Sequence, residues 1–294
     1  FAAEVGMDPA EVRRINFVAP DAFPFTTKTG TVYDSGEYER ALDAALEAAD
    51  YAGLRDEQQR RRDAGDVKQL GIGVATYVEI TGFGGSEYGE VALKPDGTVL
   101  ATTGSTPIGT GHVTTWAMIV ADKLGLDFDE VEVFHGDTDV VPSGETTGGS
   151  RSVQLAGSAM ADASDKLIDL ARQTAADLLE AAPADIVFDK GTAEFHVAGT
   201  PAVGRSWVQV AEAAADPLAG LSDFSQDGAT FPFGTHIVVA EVDTETGKAT
   251  IERIIAVDDS GIIINPLLAA GQIHGGLAQG VAQALLEEFR YDED

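Results

Sequence analysis

Three glycine-rich loops in this sequence combine glycines, hydroxyl groups and a following helix in a way that suits an anion. The first spans residues 109–115, the second spans 136–139 and 146–152, and the third spans 258–266 and 271–276. In each, a predicted strand ends, a polar turn follows and a helix begins. The first turn of a helix has free N–H groups, and glycine lets a phosphate approach the backbone. The loops therefore either bind a phosphate group or only make turns.

Basic side chains are scarce around these loops. Arg151 is the only Lys or Arg between Lys123 and Lys166. No Lys or Arg occurs between Arg253 and Arg290. Backbone amides and hydroxyl groups would therefore donate most of the hydrogen bonds to an anion, and Arg151 would supply the one fixed positive charge.

Other patterns of chemically active residues are weaker. The chain has no Cys, which excludes disulfides, thiolate metal sites and Cys nucleophiles within it. Its five His lack metal-ligand spacing, so no metal-binding residue is assigned. Asp137, Asp139, Asp258 and Asp259 follow predicted strands, where they either bond ligand hydroxyls or cap their own turns. The glycine-rich run at 82–85 is interpreted as a strand connection.

Hydrophobic periodicity predicts the elements that position the loops. Helices are predicted at residues 37–51, 114–124, 150–181 and 266–289. Strands are predicted at residues 70–80, 88–93, 99–103, 131–135, 235–242 and 248–257. The polar stretch 55–66, with its arginine triplet, contains no core residues and is predicted to be a linker. The fold class predicted is α+β, with antiparallel strands and hairpins packed with helices.

Composition and charge restrict the class of protein. Aliphatic and aromatic residues make up 44% of the 294 residues, as in globular proteins. No apolar run approaches the roughly 20 residues of a membrane span, and no signal peptide is evident, so a cytoplasmic protein is expected. The net charge of −30 argues against nucleic acid or anionic membranes as partners. It reflects either a solvated acidic surface or a salt-rich cytoplasm that screens the repulsion.

Taken together, these segments resemble the large subunit of molybdenum hydroxylases, the family of xanthine dehydrogenase, aldehyde oxidase and aerobic carbon monoxide dehydrogenase. The resemblance is carried by residues 109–125, 136–139, 148–152 and 257–291. Residues 112–117 and 265–276 look most like the carbon monoxide dehydrogenase branch. The opening segment also matches, through residues 6–9, 16–17 and 33–36, so the resemblance runs almost end to end.

The resemblance implies the fold of the second molybdopterin-binding domain and the cofactor molybdopterin cytosine dinucleotide with molybdenum. In the family, the loops matching 109–112 and 147–152 hold the pterin and its pyrophosphate. Four further positions lie around the pterin or the appended nucleotide. The residues assigned to the cofactor are Gly109, Thr110, Gly111, His112, Thr147, Gly148, Gly149, Ser150, Arg151, Ser152, Asp259, Ser260, Asn265 and Gln272.

The resemblance also divides the chain. Residues 1–64 are expected to form the C-terminal part of a first molybdopterin-binding domain and a linker, and residues 65–294 a second domain truncated at its C-terminus. Both ends are expected to be cut from a longer chain. The substrate-facing loop would precede Phe1 and the Glu proposed as general base would follow Asp294. No catalytic residue is therefore assigned.

The function implied is oxidative hydroxylation of an aldehyde, an N-heterocycle or carbon monoxide, with oxygen taken from water. Electrons would leave through an iron–sulfur small subunit to an FAD-binding medium subunit, in an expected dimer of heterotrimers. Two alternatives stay open. One is a non-catalytic molybdopterin-binding or assembly homologue, and the other is an extracellular β-rich binding module.

Three positions depart from the family pattern. Thr110 stands where a Gln commonly bonds a ligand oxygen of the molybdenum, and Met118 stands where a second Gln is usual. Ser260 stands where Cys is frequent. The shorter Thr110 reaches the same oxygen only through a water. The chain is therefore either a branch with altered metal surroundings or a homologue that has lost activity.

Overall fold

A computed structural model describes residues 1–293 of the protein. The α-helices are α1 (Ala2–Val5), α2 (Pro9–Ile15), α3 (Tyr38–Ala49), α4 (Tyr51–Ala64), α5 (His112–Leu124), α6 (Gly157–Leu178), α7 (Trp207–Ala213) and α8 (Pro266–Leu285). The strands are β1 (Phe25–Thr26), β2 (Val32–Tyr33), β3 (Lys68–Val78), β4 (Glu87–Leu93), β5 (Val99–Thr103), β6 (Val131–Phe134), β7 (Ile186–Asp189), β8 (Glu194–Val197), β9 (Gly204–Ser206), β10 (Ala219–Phe224), β11 (Phe233–Asp243) and β12 (Ala249–Asp259).

These elements group into two compact units. The first unit comprises residues 1–81 and 229–262, and the second comprises residues 82–228 and the segment from Ile263 onward. These units are defined by contacts within one structure, whereas the predicted domains are defined by the resemblance to a family. The predicted domain division between residues 64 and 65 therefore stays a prediction.

The first unit is built on an antiparallel sheet with the strand order β12-β11-β3. β11 and β12 form the hairpin that the sequence predicts around residues 243–247. α3 covers the sheet with a face of alanines, and Ala45 and Ala49 are fully buried beside Ile237. Small side chains let the helix pack closely on the strands, which explains why this segment is rich in alanine.

Residues 55–66 differ from the prediction, because most of them belong to α4 and do not form an irregular linker. The helix is polar on most of its surface and is stabilised by pairs one turn apart, such as Arg61 with Glu57 at 2.7 Å. The Gln58 amide is buried and donates a hydrogen bond to a backbone carbonyl of β3. A buried amide in place of an apolar stripe is why the hydrophobic pattern failed to reveal this helix.

The second unit contains a four-stranded sheet in the order β10-β4-β5-β6. β10, β4 and β5 pair antiparallel, whereas β5 and β6 pair parallel, with Val99 opposite Val131. α5 forms the crossover that two parallel strands require. The loops at 104–111 and 135–151 therefore leave from the same edge of the sheet. In sheets with parallel strands, the edge at the carboxyl ends of the strands is where ligands usually bind.

Two glycines allow α6 to lie directly on this sheet. A Cβ atom at Gly220 in β10 would lie 1.9 Å from the Ala163 carbonyl oxygen of the helix. A Cβ atom at Gly89 in β4 would lie 2.7 Å from the Ala159 carbonyl carbon. The absence of side chains at both positions places α6, and hence the loop that precedes it, at a fixed height above the sheet.

α6 also belongs to a core that it shares with the small antiparallel sheet β7-β8-β9 and with α7. Phe195 and Trp207 meet edge to face, with ring centroids 4.9 Å apart. The Trp207 indole donates to the Leu124 carbonyl at the end of α5, over 3.0 Å. This bond ties α7 to α5 and gives the buried indole N–H a partner.

The fold class predicted from the sequence is confirmed. The helix predicted at 150–181 begins later, because residues Ser152–Ala156 form a π-helical turn before α6. The prediction omitted β7 to β10 and α7, which are short and whose burial depends on neighbours distant in the chain. Among residues 1–293, no helix is long and apolar enough to cross a membrane.

Candidate functional site

In the structure the first glycine-rich loop runs from the end of β5 to the start of α5, over residues 104–111. Gly111 is the residue before the helix, with φ 77° and ψ 15°, and Gly109 has φ 90°. Both values lie in the left-handed region that favours glycine. Gly111 has no side chain to accept hydrogen bonds from the first turn of α5. The helix therefore presents uncapped N–H groups and its positive dipole end.

Thr110 and His112 form a contact at this helix start. Thr110 Oγ1 lies 2.9 Å from His112 Nδ1, and the His112 ring stacks on Trp116 with centroids 5.3 Å apart. Burial lowers the pKa of His112, so the ring is neutral at pH 7. The Thr110 hydroxyl therefore orients the His112 ring, a role that the sequence did not reveal.

In the second loop, two residues with left-handed backbone are followed by a residue with right-handed backbone. Gly149 and Ser150 have φ values of 56° and 53°, and Arg151 follows with φ −97° and ψ −23°. Successive residues of this kind form a concave array of N–H groups that suits an anion. A left-handed Ser costs on the order of 1 kcal/mol, so the surrounding contacts must hold this turn.

Hydroxyl and indole groups bring the first and second loops together. Thr147 Oγ1 donates to the Thr106 carbonyl over 2.7 Å and lies 2.8 Å from Ser152 Oγ. The Trp116 indole of α5 donates to the Ser152 carbonyl over 2.9 Å. The sequence identified both loops, and the structure adds that they are bonded to each other.

Arg151 does not lie open at this site. Its side chain is 5% exposed, and its Nη1 lies 3.0 Å from Glu87 Oε2. Its Nη2 donates to the Ser86 carbonyl over 3.1 Å. The guanidinium charge is thus balanced inside the protein. Direct contact between Arg151 and a bound anion stays a prediction.

Glu87 is the main site residue that the sequence patterns did not reveal. It lies at the start of β4, where every second residue is buried, in register with Gly89, Val91 and Leu93. An acid on the inward face of an alternating strand requires a partner. That pattern is the signal by which Glu87 could have been found.

The run at 82–85 connects β3 to β4, as the sequence predicted, and it also packs against the second loop. The Gly82 N–H donates to the Gly149 carbonyl over 3.3 Å. A Cβ atom at Gly149 would lie 2.8 Å from the Phe83 ring. Gln226 donates to the Gly82 carbonyl and fixes the other side of the turn. Phe83 is 51% exposed and forms an aromatic wall beside Gly149.

The third loop is divided between the two units. Asn265 caps α8 in the second unit, where its Oδ1 accepts from the Leu268 N–H over 3.1 Å and its Nδ2 lies 3.4 Å from Met118 Sδ. A Cβ atom at Gly111 would lie 2.7 Å from Leu268 Cδ2, so the starts of α5 and α8 are neighbours. Gln272 lies on the exposed surface of α8.

The remaining predicted acids and Ser260 have local roles or exposed positions. In the first unit, Asp258 accepts from the Tyr77 hydroxyl over 2.7 Å and lies 2.8 Å from His236 Nε2. Asp259 accepts from the backbone N–H of Gly261, so it caps its own turn, and Ser260 follows it in the first unit. In the second unit, Asp137 likewise accepts from the Asp139 N–H.

The second unit fits an anionic ligand better than a metal ion held by side chains. At Gly109 and Gly148 a Cβ atom would meet no atom within 4 Å, so the backbone there is open to a ligand. The donors beside this space are backbone N–H groups of the two loops, because the Thr147 hydroxyl already donates its proton to the Thr106 carbonyl. Within the described residues, no group of three or more His, Asp or Glu side chains is placed to hold a metal ion.

Comparisons with known proteins show the family to which the chain belongs. The family model described as "Molybdopterin cofactor-binding domain" matches residues 44–294. The chain is 37% identical to the carbon monoxide dehydrogenase large chain of Hydrogenophaga pseudoflava, over 99% of this chain and 38% of that one. It is 33% identical to the 6-hydroxypseudooxynicotine dehydrogenase complex subunit gamma of Paenarthrobacter nicotinovorans, again over 99% and 38% of the two chains.

Solved structures show the same similarity. The Cu,Mo-CO dehydrogenase in its carbon monoxide reduced state superposes with a TM-score of 0.92 at 34% identity, over 99% of this chain and 39% of that one. Quinoline 2-oxidoreductase from Pseudomonas putida 86 superposes with a TM-score of 0.89 at 32% identity, over the same shares of the two chains. The chain thus spans less than two fifths of the length of these relatives.

Proposed function

This chain belongs to the molybdopterin cofactor-binding domain family, and from that premise we propose that it holds the cofactor in the large subunit of a molybdenum hydroxylase. The proposed reaction is oxidative hydroxylation of an aldehyde, an N-heterocycle or carbon monoxide, with oxygen from water. The observation that carries the proposal is the meeting of the first two glycine-rich loops and the start of α8 in the second unit.

The proposed cofactor is molybdopterin cytosine dinucleotide with molybdenum. When bound, it supplies the redox chemistry, and the protein supplies binding, orientation and electrostatics. The N–H groups at the start of α5 and at residues 148–152 would hold the pyrophosphate. The hydroxyls of Thr110 and Ser150 would bond further oxygens of the cofactor, and Thr147 would hold the two loops together through its bond to the Thr106 carbonyl.

Backbone donors suit this protein because its surface is strongly acidic. With a net charge of −30, the long-range field opposes an anionic dinucleotide. Helix N-termini and oriented N–H groups offer fixed partial positive charge at short range, where a dry site makes it most effective. We therefore assign the anion contacts to backbone amides first and to side chains second.

The proposal extends to the assembly. An iron–sulfur small subunit and an FAD-binding medium subunit would accept the electrons, in a dimer of heterotrimers. The relatives named as a large chain and as a complex subunit support partner chains. A cytoplasmic location stays a prediction, which cell fractionation would test.

A second candidate function is a non-catalytic molybdopterin-binding or assembly homologue. The observation that favours it is the side chain at position 110, which contacts His112 and is shorter than the Gln of the family pattern. Both candidates would bind the cofactor, but only the first would convert a substrate.

Thr110→Gln separates these candidates. If Thr110 lies at the metal, the longer side chain is expected to shift the electron paramagnetic resonance spectrum of the molybdenum and to change the rate. Thr110→Ser keeps the hydroxyl beside His112 and is expected to leave both unchanged. Identical spectra for all three proteins would place residue 110 away from the metal. Absence of turnover in all three, each loaded with molybdenum, would favour the non-catalytic candidate.

The experiment that tests the proposed function is an analysis of the purified native protein. Molybdenum is measured by elemental analysis, and the nucleotide released by mild acid is identified by mass spectrometry. We expect about one molybdenum and one cytosine nucleotide per chain, as a cofactor of the proposed type requires. A protein that carries neither would overturn the proposal.

A further inference from the structure

We propose that Glu87 and Arg151 form a buried positioning pair that holds the second glycine-rich loop in its anion-binding shape, with the Arg151 charge cancelled by Glu87 and not offered to the ligand. This inference rests on the proposed function for the identity of the anion. It assigns Glu87, which no sequence pattern in the loops includes, to the machinery of the site.

The contacts of Glu87 join three segments of the second unit. Its Oε2 accepts from the Ser105 hydroxyl over 2.8 Å and from Arg151 Nη1 over 3.0 Å. Ser105 belongs to the first loop, and Arg151 belongs to the second loop. A Cβ atom at Gly104 would lie 2.2 Å from the Ser143 carbonyl oxygen, so the segment between the two parts of the second loop also lies against this cluster. One carboxylate thus fixes both loops to the start of β4.

Burial makes this pair a strong constraint. The Glu87 side chain is 0% exposed and the Arg151 side chain is 5% exposed. Burial raises the pKa of Glu87, and the Ser105 hydroxyl and the Arg151 guanidinium oppose that change. Removing one partner of such a pair leaves an uncompensated charge in the interior, whereas replacing both leaves none. The loop therefore remains in place only while both partners are present or both are neutral.

The direction of the Arg151 side chain indicates that it positions the second loop and does not contact the anion directly. Nη1 bonds the Glu87 carboxylate at the start of β4, and Nη2 bonds the Ser86 carbonyl just before it and lies 3.6 Å from Glu145 Oε2. The residue before Arg151 is the left-handed Ser150, and a Cβ atom at the nearby Gly148 would meet no atom within 4 Å. An anchored Arg151 holds this strained turn without occupying the space that the anion needs.

The two roles for Arg151 predict opposite effects of Glu87→Gln. If Arg151 contacts the phosphate, loss of the competing carboxylate strengthens anion binding. If Arg151 positions the loop, the same change loosens the loop and weakens cofactor retention. The sign of the change in cofactor content therefore distinguishes direct contact from positioning.

The test compares Glu87→Gln, Arg151→Gln and the double variant in the purified native protein. Hydrogen exchange of residues 143–152 is measured on protein stripped of cofactor, and nucleotide content is measured on untreated protein. Each single variant is expected to exchange about tenfold faster in this segment and to lose nucleotide. The double variant, in which two neutral amides face each other, is expected to recover slow exchange.

Asp165→Asn is the matched control, because it breaks the exposed pair with Lys123 and leaves the loops untouched.

Ser105→Ala is the milder variant if either single substitution prevents folding, and it is expected to speed exchange at 143–152 by about threefold. Unchanged exchange in the single variants, or in Ser105→Ala where they do not fold, would overturn the inference. Higher nucleotide content in Glu87→Gln would also overturn it. A native protein without nucleotide would overturn the proposed function alone, since the exchange measurements need no cofactor.

Discussion

Gly148→Val is expected to lower the molybdenum and nucleotide content of the purified protein by about tenfold, equivalent to about 1.4 kcal/mol of binding free energy. Gly148 does not have a positive φ, and a Cβ atom there would meet nothing within 4 Å. The substitution therefore adds volume to the open side of the second loop without straining the fold. Elemental analysis and nucleotide release measure the effect.

Gly228→Val is the matched control for this variant. Gly228 also lies in a loop of the second unit, without a positive φ and without a neighbour within 4 Å of an added Cβ atom. It is expected to keep its full cofactor content. Equal contents in the two variants would mean that the cofactor does not approach Gly148.

Gly220→Ala is expected to lower the free energy of unfolding by about 3 kcal/mol, at the upper end for overpacking. The added methyl group would lie 1.9 Å from the Ala163 carbonyl oxygen and 2.7 Å from the Leu167 nitrogen. Both are backbone atoms of α6, so the contact is not relieved by a side-chain rotation and the helix must move. Denaturant unfolding of the purified protein measures the loss.

Gly71→Ala provides the comparison for Gly220→Ala. It places the same methyl group in β3, where the nearest atom is 3.5 Å away, an ordinary contact. Its effect is expected to stay below about 1 kcal/mol. If Gly220→Ala is no more destabilising than Gly71→Ala, α6 does not depend on close approach to β10.

The loops themselves were predictable from the sequence because their signals are local. Glycines at 109, 111 and 149 adopt left-handed backbone, and helices begin after the first and third loops. The strand, helix and strand at 99–103, 114–124 and 131–135 also form the pattern of a parallel crossover. The parallel pairing of β5 with β6 could therefore have been predicted, although the sequence analysis expected antiparallel strands.

The partners of the loop residues were not predictable in the same way. Arg151 was expected to face an anion, and its observed partner, Glu87, lies 64 positions earlier in the chain. Thr147 bonds the carbonyl of Thr106, 41 positions earlier. Spacing within a motif carries no information about such pairs, which depend on the arrangement of strands and helices. The assignment of the individual cofactor-binding residues therefore stays a prediction.

An experimental structure of the purified protein with its cofactor tests the central claim most directly. We expect phosphate oxygens within hydrogen-bond distance of backbone nitrogens in residues 109–112 and 148–152. We also expect the Arg151 guanidinium to remain on Glu87. A cofactor bound elsewhere, or an Arg151 side chain turned from Glu87 onto the phosphate, would contradict the account.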